Sequence, residues 1–141
     1  MKLAAATTFV LAFVIGVVPF VQADDDAPQC STTTLKGSFG YTGTGSIVIG
    51  ASILPIAFVG TITFDGQGNA TFSHVLSRDG VIIPVGPIYT TYTVNPDCTG
   101  TLTAFNGHLV VDDNGKEYRQ IFQLAGAVIT VTGRRIRSTE D

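Results

Sequence analysis

The chain has no tryptophan, a single methionine at position 1, only two cysteines, and charge on just 13% of its 141 residues. Each shortage removes a class of answer. An antibody-type two-sheet sandwich is built around a core Trp and an inter-sheet disulfide, and neither signature is present. No long stretch shows a helical period, so helical architectures are excluded. The body has no basic stripe, which argues against nucleic acid or an anionic membrane as partner. Arg134, Arg135 and Arg137 form the one small basic cluster, and its shortness marks a solvated C-terminal tail. No phosphate-cradling loop precedes a helix, and no nucleophile elbow is found. His74 and His108 have no Cys or Asp at metal-ligand spacing, and the glycines between Asp65 and Asn69 leave too few oxygens for calcium. No metal or cofactor is expected.

Long apolar runs are also missing, with one exception at the start. Lys2 precedes an almost uncharged stretch from Leu3 to Val18, Pro19 ends it, and Val21-Gln22-Ala23 places short residues before the acidic run Asp24-Asp25-Asp26. This is the pattern of a secretory signal peptide over residues 1–23; the apolar core is too short for a membrane span. Its removal would leave residues 24–141 with seven basic and eleven acidic side chains, a formal net charge of −4. That length suits one domain with one core. The expected organisation is an acidic N-terminal segment over 24–34, a β domain over 35–137 and a tail over 138–141. The expected address is extracellular or periplasmic.

In such a compartment an even cysteine count favours one disulfide, Cys30 to Cys98, pinning the N-terminal segment to the body. Neither Cys carries the local signature of a catalytic thiol. Asn69-Ala70-Thr71 is an N-glycosylation sequon, usable in a eukaryotic secretory pathway.

What is abundant is Thr, Val, Ile, Phe and Tyr, punctuated at short intervals by Gly and Asx-Gly. Alternation predicts strands over 35–42, 56–64, 70–78, 81–83, 89–94, 99–105, 108–112, 116–124 and 127–135. Phe39 and Tyr41 share a face, as do Gly60, Ile62 and Phe64, and Phe72, His74 and Leu76. Tyr89 and Tyr92 fall on opposite faces, so only one can be internal. Pro84 and Pro87 break the fourth run and assign it to an edge or a barrel corner. The apolar stretch 46–54 reads as a strand, a buried plug or a rim loop. Eight or nine antiparallel strands in one meander must hide their edges, and closure into a single up-and-down β-barrel does so without helices.

Three segments together resemble a known group: Cys30-Ser31 through Leu35-Lys36-Gly37-Ser38-Phe39-Gly40-Tyr41, then Phe64-Asp65-Gly66-Gln67-Gly68-Asn69, then Tyr92-Thr93-Val94-Asn95-Pro96-Asp97-Cys98-Thr99-Gly100-Thr101. In order and spacing they resemble a group of small secreted β-proteins, largely uncharacterised and mostly bacterial. In layout the chain is similar to the calycin-like and allene-oxide-cyclase-like barrels, which include ligand-binding and ring-forming members. That likeness is of architecture and transfers no residue.

An eight-stranded barrel has room for packed side chains or one small ligand. The lumen is expected to be lined by Phe39, Tyr41, Ile62, Phe64, Phe72, His74 and Leu76. His74, Tyr92, Glu117 and Arg119 are the candidate catalytic side chains. Glu117 and Arg119 share a face of one strand: turned inward they would orient or protonate a ligand, and turned outward they make a surface ion pair. Three functions follow as expectations. The leading one is a secreted barrel binding a small hydrophobic molecule; the others are a cyclase or isomerase and a structural or interaction protein with a filled core. The oligomeric state is left open.

Overall fold

The computed structural model describes residues 29–112 and 114–136. The leader, the acidic run at 24–26, Arg137 and the tail lie outside the described residues. Eight strands form: β1 (Gly37–Ile49), β2 (Ser52–Phe64), β3 (Asn69–Arg78), β4 (Val81–Val94), β5 (Thr99–Leu102), β6 (Gly107–Val111), β7 (Glu117–Phe122) and β8 (Ala127–Arg135). Each pairs antiparallel with the one before it, and β8 returns to β1, closing an all-β up-and-down barrel. The register from Phe39↔Arg135 to Ile47↔Ala127 makes that closure continuous over nine residue pairs.

Alternation decides what goes inside. Phe39 and Tyr41 of β1, Ile56, Phe58, Ile62 and Phe64 of β2, Phe72 of β3, Tyr92 of β4, Leu109 and Val111 of β6, Tyr118 of β7, and Ile129 and Val131 of β8 are all buried. Their neighbours face water, and many are Thr or Ser. Outer-wall hydroxyls pair across strands at Ser38–Thr63, Thr91–Thr103 and Thr93–Thr101, all within 2.7–2.9 Å. A greasy interior inside a hydroxylated wall is the reverse of a membrane-spanning barrel. Three inward positions are glycine because large groups lie against them. A Cβ at Gly43 would collide with the Phe58 ring, at Gly133 with the Tyr118 ring and at Gly107 with the Gln120 amide.

One end of the barrel is closed. Cys30 is bonded to Cys98, and Thr32–Leu35 makes a 3-10 turn that brings Leu35 to complete burial under the barrel. Tyr92 Oη donates to Thr32 O at 2.8 Å and accepts from the Gly66 N–H at 3.1 Å. The Arg135 guanidinium donates to the carbonyls of Thr34, Lys36 and Gly115 and lies over the Phe39 ring at 4.7 Å. The plug is thus held covalently, by hydrogen bonds and by a cation over an aromatic face.

The other end is uneven. Strands β1–β4 run for 10–14 residues and β5–β7 for only 4–6, so along the strands the tall wall measures about 34–48 Å against about 13–20 Å for the low one. Strand β4 pairs with β5 only over Tyr92–Val94, so its first eleven residues have no ladder partner on that side.

Several boundaries differ from the sequence reading. Leu35 belongs to the 3-10 turn, and β1 begins at Gly37 and continues through the glycine-rich 43–45 to Ile49. The 46–54 stretch is neither plug nor loop: it is the paired end of β1 and β2 around Gly50-Ala51, with Ile47↔Leu54 and Val48↔Ile53 in register. Residues 81–94 are one strand: Pro84 stays in register with Val75 of β3, Pro87 falls at a register shift, and β5 does not reach either position. A register shift opposite Ser73 absorbs Gly86-Pro87. Strands β5 and β7 are shorter than expected, since Ala104–Asn106 forms a 3-10 turn and Gln123–Gly126 a turn. The total is eight.

Candidate functional site

Between the plug and the mouth the lumen narrows to a half-enclosed cavity. About 20 Å³ of it is open to the centre of a water molecule, room for one or two waters. Tyr41, Ile62 and Val131 line it together with Phe58, Phe72, Phe105 and Phe122. The four phenylalanines form one aromatic shell: Phe105 stacks on Phe122 at 4.9 Å and lies 5.9 Å from Phe72, and Phe122 stacks on Phe58 at 6.2 Å.

Polar groups break this shell: Tyr41, His74, Tyr118 and Gln120. His74 enters from β3 between Phe58 (5.1 Å) and Phe72 (6.1 Å), and its Nδ1 lies 2.9 Å from Tyr41 Oη on β1. Burial drives the Tyr41 hydroxyl far above its ordinary range, so the phenol keeps its proton. Burial also pushes the His74 imidazole below its ordinary value, so the ring is neutral at pH 7. One hydrogen bond therefore joins a neutral phenol to a neutral ring, the phenol donating to Nδ1 in the tautomer that carries its proton on Nε2. Gln120 on β7 is a further polar group, 6% exposed, whose Nε2 is buried with no hydrogen-bond partner among the described residues. An unmet amide donor in such a site costs about 1–3 kcal/mol.

A pH dependence follows from His74. Its folded value lies below the unfolded value of about 6.5, so at pH 5–6 the unfolded chain binds the extra proton and stability falls as pH drops. The urea midpoint should fall from pH 7.5 to pH 5, and a His74→Gln variant should show a flatter profile over that window. Equal slopes for both would remove His74 from the account.

The sequence-expected site residues separate into five places. Tyr41, Ile62, Phe72 and His74 line the cavity together. Phe39 and Phe64 lie below it, packed edge-on at 5.5 Å against each other. Leu76 is half-buried toward the mouth. Tyr92 is at the closed end, satisfied by the plug, and Tyr89 is the exposed one of that pair. Glu117 and Arg119 face outward: the carboxylate bridges Arg119 at 3.1 Å and Arg134 at 3.0 Å, with both guanidinium groups about 80% exposed. His108 is exposed on β6 and bonded to Gln123. Asn69 is exposed, and its amide nitrogen donates to Asp65 Oδ2 at 2.7 Å in a turn where Asp65 also accepts from Gln67 and Asn69 N–H groups. Those bonds hold the Asp65 carboxyl below its ordinary value.

Sequence reasoning missed Phe58, Leu102, Phe105, Tyr118, Gln120, Phe122 and Val131 as cavity residues. For Tyr118 and Gln120 a signal existed, since they alternate with the outward pair Glu117 and Arg119. Phe105 comes from a turn and carried none. Comparison with known protein families, characterised proteins and solved structures finds no match.

Proposed function

We propose that this protein is a secreted carrier or sensor that binds a small hydrophobic molecule in the upper lumen, between the four phenylalanines and the Tyr41–His74–Gln120 group. The reading rests most on Gln120. A buried amide donor with no partner among the described residues, in an aromatic-lined cavity, is matched by a ligand carrying one acceptor oxygen on an apolar body. The resting space is water-sized, so entry requires the Phe105 and Phe122 rings to swing aside. Phe105 has φ of +61°, a left-handed backbone that a bulky residue adopts at a cost of about 1–3 kcal/mol, and such strain is common where a clamp must move. The apolar leader and the Cys30–Cys98 disulfide support export, and the exposed Asn69 sequon would add a sugar at the closed end in a eukaryotic host.

Gln120→Met separates stability from binding. The free protein should gain about 1–2 kcal/mol in urea unfolding, because the unmet donor is gone. Displacement of a carbonyl-bearing environment-sensitive dye should weaken about tenfold, the equivalent of one lost hydrogen bond. No dye uptake by wild-type protein, together with no co-extracted molecule in mass spectra, would end the ligand reading and leave a structural or interaction protein with a filled core.

The Tyr41–His74 contact favours one further reading, an isomerase or cyclase. A neutral imidazole backed by a protonated phenol can relay a proton, and the aromatic shell would hold an unsaturated substrate folded. Turnover unchanged in a Tyr41→Phe/His74→Gln double variant would exclude it.

A further inference from the structure

The charge of this molecule is segregated along the barrel. Of the eleven charged side chains among the described residues, only Arg78 and Asp79 sit at the mouth. Lys36, Asp65, Asp97, Asp112, Lys116 and Arg135 are among those at the closed end. The mouth instead exposes large apolar residues on its projecting turns: Val48, Ile49 and Ile53 (70% exposed) on the β1–β2 hairpin, Val81 and Ile82 (64%) on the β3–β4 hairpin, and Leu124 on the β7–β8 turn.

The β1–β2 tip also projects. Pairing of β2 with β3 stops at Ile56↔Arg78, so residues 52–55 have no strand partner on that side among the described residues, and the ribbon stands about 10 Å clear of the β2–β3 ladder. It is apolar on both faces, with Ile47 and Leu54 turned inward and Val48 and Ile53 outward. The second tip repeats this, with Leu76 and Ile83 inward and Ile82 outward. A folded partner covers one face of such a ribbon, whereas fluid acyl chains cover both.

We infer that the mouth docks on a lipid surface, the two hairpins entering the interfacial layer while the charged closed end stays in water. The projection matches the roughly 5–10 Å to which peripheral apolar faces sink. Arg78 and Asp79 cancel, so the docking needs no anionic lipid and is insensitive to salt. The inference stands on the rim alone and holds whether or not the lumen carries a ligand.

Because the chain has no Trp, Ile53→Trp introduces a single reporter at the tip and Val110→Trp a control on the exposed outer wall of β6. With phosphatidylcholine vesicles, Ile53→Trp emission should shift to the blue, and brominated phosphatidylcholine should quench it about twofold, at low and high salt alike. Val110→Trp should change in neither respect. Adding Ile49→Asp and Ile82→Asp to the Ile53→Trp chain should raise the vesicle concentration needed about tenfold, because buried apolar surface is lost. An unquenched Ile53→Trp, or equal quenching at both positions, would overturn the inference. A blue shift on raising protein concentration without vesicles would also overturn it, by showing a second copy seated on the rim.

Discussion

Replacing Cys30 and Cys98 together by serine is expected to lower the unfolding free energy by about 4 kcal/mol, the denatured-state entropy released when a loop of 68 residues is no longer closed. The same bridge has a local job. Cys30 N–H donates to Pro96 O at 3.2 Å, and five residues later Leu35 lies fully buried against the barrel floor. Tyr92 and Arg135 still grip the plug when the bridge is gone, so the barrel should remain folded at neutral pH with a lowered urea midpoint. The m-value should change too, because the freed denatured chain is larger. A loss under about 1 kcal/mol would mean that the denatured chain keeps the two ends together without the bond.

Phe64→Ala should cost about 4 kcal/mol. The ring is 2% exposed and stands edge-on to three others: Phe39 at 5.5 Å, Tyr92 at 4.8 Å and Tyr118 at 5.7 Å. All three are anchored on other strands or by the plug, so the hole cannot collapse. Tyr89→Ala, removing an aromatic ring of similar size that is 79% exposed on the outer wall, should stay within about 0.5 kcal/mol of wild type. Equal urea midpoints for the two variants would mean that the aromatic floor under the cavity does not carry the fold.

The sequence shows the barrel readily because period-2 alternation and Asx-Gly turns are local signals. Asp65-Gly66, Asp79-Gly80 and Asn114-Gly115 all lie at reversals, and Phe72-x-His74-x-Leu76 points inward as its spacing requires. Strand length was harder to read. The glycines at 43 and 45 look like a strand end, yet Gly43 continues β1 because the Phe58 ring fills the space a side chain would take. Pro84 and Pro87 look like breaks, yet Pro84 stays in register with Val75 and Pro87 falls at a register shift, both on a stretch of β4 that β5 does not reach. Both are tertiary facts that no window of the chain contains.

The cavity was half legible for the same reason. His74 stood out as a polar residue on an apolar face. Its partnership with Tyr41 joins residues 33 apart in sequence, across β1–β3, and follows only from closure. Gln120 sits in the run Lys116-Glu117-Tyr118-Arg119-Gln120, whose overall polarity hides that alternate members enter the lumen. Glu117, the more conspicuous residue, turns outward to Arg119 and Arg134.

Both ends of the described chain leave from the base of the barrel. Cys30 is fastened to the β4–β5 loop, and Arg135 N–H donates to Lys116 O on the β6–β7 loop of that same base. A fused domain joined directly at Gln29 or Ile136 would therefore hold the molecule like a cup by its foot, with the opening presented away from whatever it is fixed to. Attachment to a solid support directly through either of those two positions should leave access to the interior unchanged.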